Sequence, residues 1–115
     1  MSQLGFVGNR LNYAVLPLST SSATNLVSAP NAILVGLWNQ SLSAQTNPIA
    51  FYDAPGTTST NYNLLLNWQP SGGQIKWFGL GETFGIDLQN GLLAVPAGAL
   101  NSDGGILAIY ALFNG

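Results

Sequence analysis

Thr83-Phe-Gly-Ile-Asp-Leu-Gln-Asn-Gly-Leu-Leu-Ala-Val95 reads as strand, turn and strand. Phe84, Ile86 and Leu88 alternate with Thr83, Gly85 and Asp87, the two-residue period of a strand with one buried face. Asn90-Gly91 is the pair preferred in a type I′ hairpin turn, so Leu92–Val95 is expected to return beside the first strand.

The same grammar extends in both directions. Ala32-Ile-Leu-Val-Gly-Leu-Trp38 predicts a long strand over about 31–40. Ile33, Val35 and Leu37 are expected on one face, with Leu34, Gly36 and Trp38 on the other. Both faces are apolar, which suggests a central strand covered on both sides or one that lends a face to an interface. Further strands are expected over 48–53, 62–68, 74–78 and 106–113. They are separated by polar turns at Ala54–Asn61, Gln69-Pro-Ser-Gly-Gly73 and Pro96–Asp103. Trp68 and Trp77 flank the second of these turns and are expected near each other across a strand pair. No apolar stretch holds a 3.6-residue period long enough for a helix. About seven to eight evenly spaced strands make an all-β sandwich or barrel. We divide the chain into an N-terminal extended arm and polar loop, residues 1–25, and a β-sandwich domain, residues 26–115. For the arm, packing on a neighbour and an edge strand of the same sheet stand as equal alternatives.

Charge is nearly absent. Arg10 and Lys76 are the two cations, and Asp53, Glu82, Asp87 and Asp103 the four carboxylates. There is no histidine and no cysteine. Acids, bases, nucleophiles and metal ligands come mostly from these residue types, so the composition argues against an enzyme and implies no cofactor. Asp53 and Asp103 stand at turns, where Asp satisfies nearby backbone, and Asp87 takes the outward side of its strand. Asn101-Ser-Asp-Gly-Gly105 has a faint look of a calcium loop but lacks the acidic density of one. Two isolated cations cannot neutralise a run of phosphates or an anionic bilayer, so neither nucleic acid nor membrane is an expected partner. The longest apolar run, Ile106–Phe113, has eight residues, and a spanning helix needs about 20. Asn, Gln, Ser and Thr replace the missing ions. Their groups enter an interface without an ionic desolvation cost.

Three segments in this order resemble a type of small phage structural protein: Ile49-Ala-Phe-Tyr-Asp53, Phe84-Gly-Ile-Asp-Leu-Gln-Asn-Gly-Leu-Leu-Ala-Val95 and Gly104-Gly-Ile-Leu-Ala-Ile-Tyr110. The likeness spans about three-quarters of the chain and leaves the arm outside it. It implies a jelly-roll or related β-sandwich, located in the virion. It also implies a capsid decoration (cement) protein that binds the major capsid protein as a homotrimer. On that reading Leu4, Phe6, Arg10, Leu11 and Tyr13 of the arm anchor to the shell or a neighbouring copy, and Trp38 and Trp77 are buried aromatic anchors. The alternatives are a glycan-binding tail-fibre module, with the tryptophans as stacking platforms, and a tail or neck ring component.

Overall fold

The fold is organised around Ala32–Asn39 (β3), whose eight residues are rich in β-branched and large apolar side chains. The structure is a computed structural model that describes residues 11–28, 31–78 and 85–112. Within them the chain forms nine strands and no helix. The others are β1 (Leu11–Leu16), β2 (Thr24–Val27), β4 (Ile49–Asp53), β5 (Asn63–Trp68), β6 (Ile75–Trp77), β7 (Ile86–Leu88), β8 (Leu92–Pro96) and β9 (Ile106–Leu112).

They make two wholly antiparallel sheets. The first has the order β1-β9-β3-β6, with the short β7 sharing the far side of β3 with β6. The second has the order β2-β8-β4-β5. The chain changes sheet between most successive strands and pairs sequence neighbours directly only at β4–β5. That winding is a jelly roll. Leu16, Leu34, Leu37, Ile106 and Ala108 of the first sheet meet Ile49, Phe51, Trp68, Leu92 and Ala94 of the second in one core.

Four expectations need correction. Of the two alternatives for the arm, Leu11–Leu16 takes the edge strand: all six residues pair with β9 from Leu11↔Ala111 to Leu16↔Ile106. The sandwich therefore begins at Leu11 rather than at residue 26, and residues 1–10 lie outside the described residues. Asn90-Gly91 does not close a hairpin, because β7 pairs with β3 and β8 with β2 and β4. Only Gly91 of that pair has positive φ, 148°, whereas a type I′ turn needs both. Gln69–Gly73 likewise passes from β5 in one sheet to β6 in the other, so Trp68 and Trp77 are not cross-strand neighbours. Finally, the alternation of β3 breaks at a bulge at Val35, where Leu34↔Tyr110 is followed by Gly36↔Ile109. The extra residue reverses the parity beyond it. Leu37 enters the core and Trp38 joins Ile33 and Val35 on the outer face.

Candidate interaction surface

The outer face of the β1-β9-β3-β6 sheet carries the largest set of exposed apolar side chains. Alternation places Leu11, Tyr13 and Val15 of β1 on it, opposite Ala111, Ile109 and Leu107 of β9. Ile33, Val35 and Trp38 of β3 continue the row, and Ile75 and Trp77 of β6 complete it. Ile33, Val35 and Ile109 form a small buried cluster of their own, with Leu107 packed against it. Around it stand Leu11, Tyr13, Val15, Trp38, Ile75 and Trp77, all exposed; Tyr13 retains 63% and Trp77 50% of its free surface.

A glycine sets the aromatic geometry. Gly36 pairs directly with Trp77, and a Cβ on Gly36 would lie 2.7 Å and 2.9 Å from two carbons of the Trp77 ring. The indole therefore rests across the bare backbone of β3. Trp38 pairs with Ile75, two residues along, so the two indoles are diagonal neighbours on one face. Trp68 belongs elsewhere: it pairs with Ile49 and is buried in the core.

Among the described residues, the charges stay off this surface or at its margin. Asp87 pairs with Ile33 at the β7 side and points outward, as its place in the alternation predicts. Together with Asn31, Ala32, Leu88 and Gln89 it lines an open cleft of about 330 Å³, to which it contributes the one ionisable side chain. Lys76 pairs with core-facing Leu37 on the strip's edge strand, its ammonium 6.0 Å from the centre of the Phe78 ring. A lysine on an edge strand discourages a further strand from adding there.

Asp53 and Asp103 hold loops in place: Asp103 keeps a bond to its own backbone and also reaches another loop, while Asp53 serves a distant turn rather than its own. The Asp53 carboxylate, 6% exposed, accepts hydrogen bonds from the backbone N–H groups of Gln89 (3.0 Å), Asn90 (2.8 Å) and Gly91 (3.2 Å). It thus holds the link from β7 to β8 across the sandwich. Asp103 accepts from the Ser41 hydroxyl at 2.6 Å and the Leu42 N–H at 3.3 Å. The Ser41 bond, and then the Leu42 N–H, hold its carboxyl below the ordinary carboxylate value.

Those bonds belong to an amide and hydroxyl network at one end of the molecule. Buried Gln45 donates to the Asn39 side-chain oxygen at 2.9 Å and accepts from the Asn101 N–H at 2.8 Å. Asn39 donates to the carbonyls of Ser71 (2.7 Å) and Ser43 (3.2 Å), and the Asn101 amide donates to Ser41 and Ala44. The polar atoms of residues 101–105 are thus turned onto the 39–45 segment, an arrangement that binds loop to loop rather than gathering oxygens around an ion. Among the described residues, no three His, Cys, Asp or Glu side chains come together.

Of the residues singled out from sequence, Leu11, Tyr13, Trp38 and Trp77 share the apolar face. Leu4, Phe6, Arg10 and Glu82 lie outside the described residues. Sequence reasoning overlooked Val15, Ile75 and Leu107. The two-residue period of 11, 13 and 15 was the available signal for Val15. No family model, no curated protein and no solved structure matches this chain.

Proposed function

We propose that this chain is a virion structural protein of the capsid-decoration kind, adhering to its partner through the outer face of the β1-β9-β3-β6 sheet. The observation that carries this reading is the face itself: Leu11, Tyr13, Val15, Trp38, Ile75 and Trp77 stand exposed on one sheet surface where, among the described residues, the one charged side chain, Asp87, lies at the margin. Large exposed apolar patches mark sites that another macromolecule covers. The likeness of residues 49–53, 84–95 and 104–110 to small phage structural proteins supplies the virion setting, with the major capsid protein as partner.

The work is mechanical. Covering the exposed part of Tyr13 or Trp77 removes on the order of 100 Å² of mostly apolar surface, about 2.5 kcal/mol each before the cost of association. Contacts of this kind need no ion pair, so attachment depends weakly on salt up to about molar concentration.

Electron microscopy of purified particles of the source virus tests this reading. Shell-bound density for the wild-type chain, lost in the Tyr13→Ser/Trp77→Ser variant, is expected. Absence of the chain from the particles, or a position in the tail or neck, overturns it.

Glycan binding is a second reading, favoured by the diagonal placement of Trp38 and Trp77 on one exposed face. Their sheet neighbours weigh against it: Gly36, Ile75 and Leu107 offer no side-chain hydrogen bond to a sugar. A tryptophan-fluorescence titration across a sugar panel decides it.

A further inference from the structure

Among the described residues, the outer strand of the second sheet is paired on one side only. β5 reads Asn63-Leu-Leu-Leu-Asn-Trp68, six residues with no charge and no proline. It pairs with β4 on one side and ends its sheet on the other. Among the described residues, nothing bonds to its backbone on the side away from β4. β1, the edge of the first sheet, is likewise six residues long and uncharged, but it belongs to the apolar face already described; the remaining edges differ. β6 has three residues and carries Lys76, and β2 has four residues and is interrupted by a bulge at Leu26. An uncharged edge of this length is a template for another strand.

We infer that β5 is a self-association edge, where two copies of this chain pair antiparallel, β5 against β5, about a two-fold axis. The side-chain pattern of the strand fits itself. A bulge at Leu65 sends both Leu65 and Leu66 toward the core, while Leu64 and Asn67 point outward. One register keeps like faces together: Leu65 opposite Leu66 of the second copy, and Leu64 opposite Asn67 of the second copy. Asn63 then meets Trp68 of the second copy at either end. Every outward position is apolar or an amide, so two copies meet without like-charge repulsion. The bulge twists the edge and limits the contact to this one strand, which makes the dimer a concentration-dependent one.

The geometry has a consequence for the apolar face. A two-fold axis between antiparallel strands of one continuous sheet runs perpendicular to that sheet. Both copies therefore carry their β1-β9-β3-β6 layers on the same side, and the two apolar faces look in the same direction. Such a dimer presents two adhesive faces to one surface, and the second engagement becomes intramolecular. The pairing itself does not depend on the reading of the chain as a virion protein.

Sedimentation velocity over a concentration series tests the pairing. The wild-type chain is expected to move from the 12.0 kDa monomer toward twice that mass. In the proposed register, Leu64→Lys/Asn67→Lys places lysine opposite lysine, and Leu64→Glu/Asn67→Glu places glutamate opposite glutamate. Each variant alone is expected to dissociate at least tenfold more readily than wild type. An equimolar mixture of the two is expected to regain the dimer, which a variant that merely misfolds cannot do. A wild-type chain that stays monomeric to millimolar concentration overturns the inference. So does a dimer or trimer whose mass neither charge variant changes.

Discussion

Replacing Asp53 by alanine removes the one side chain that accepts from three consecutive backbone N–H groups, those of Gln89, Asn90 and Gly91. Asp53 is almost wholly buried, and so is Gly91, so water cannot readily replace the carboxylate there. Leaving a buried donor unsatisfied costs about 1–3 kcal/mol, and bonds to a charged acceptor lie toward the upper part of that range. Allowing the more exposed Gln89 and Asn90 groups to recover some of their loss in water, the sum is about 3–5 kcal/mol. A chain of 115 residues has an unfolding entropy near 240 cal/mol/K, so each kcal/mol lowers Tm by about 4 °C. Scanning calorimetry should therefore show Asp53→Ala melting about 12–20 °C below wild type. Asp53→Asn keeps one acceptor oxygen and should fall roughly half as far. Asp87→Asn, on the outer face of the sheet, should stay within about 0.5 kcal/mol of wild type. A loss below about 1 kcal/mol in Asp53→Ala would show that the β7–β8 link is held by its neighbours and that the carboxylate is incidental.

Three further outcomes follow from the same geometry. Gln45→Leu leaves the half-buried Asn101 N–H without its acceptor and should cost about 1–2 kcal/mol in denaturant unfolding; no loss would mean the network relaxes freely. Gly36→Ala should displace the exposed Trp77 ring and change the near-ultraviolet circular dichroism while stability moves by less than about 1 kcal/mol; an unchanged spectrum would refute the stacking of that ring on β3. Because the folded pKa of Asp103 is lowered, its stabilising contribution is present above the unfolded value, 3.8, and fades as pH falls through the folded value below it. The stability gap between wild type and Asp103→Asn should accordingly close in acid, and a gap that persists below that pH would refute the assignment.

The strands were legible because their two-residue period survives in the sequence, bounded by Gly, Pro, Asn and Asp. Ile86, Asp87 and Leu88 sit as the alternation requires. The path between sheets was not legible. Asn90-Gly91 has the chemistry of a hairpin, yet its conformation is set by a carboxylate 37 residues away. No local rule can supply that acceptor. The bulge at Val35 was hidden for a related reason. Ala-Ile-Leu-Val-Gly-Leu-Trp is apolar at every position, so its composition does not reveal where the parity changes. It is the pairing with β9 that puts Trp38 outside and Leu37 inside. Leu11 and Tyr13 were recognised as interface candidates, but their place in a paired strand depends on β9, some hundred residues further along the chain.

The shortage of charge takes on different meanings in different parts of the fold. At the 39–45 and 101–105 end, amides and hydroxyls bind one another and the backbone, and the single carboxylate there, Asp103, is held by a hydroxyl rather than a cation. Such a network fixes loop positions without the desolvation cost of a buried ion pair. On the outer face of the β1-β9-β3-β6 sheet, the same shortage removes the groups that ordinarily keep a sheet surface wet. On β5 it removes the lysine that guards the edge at β6. A chain selected only to remain a dispersed monomer would gain from charge at the last two places, where substitution costs the core little. Their joint lack of charge is what the two proposed contacts, one on the face and one on the edge, require.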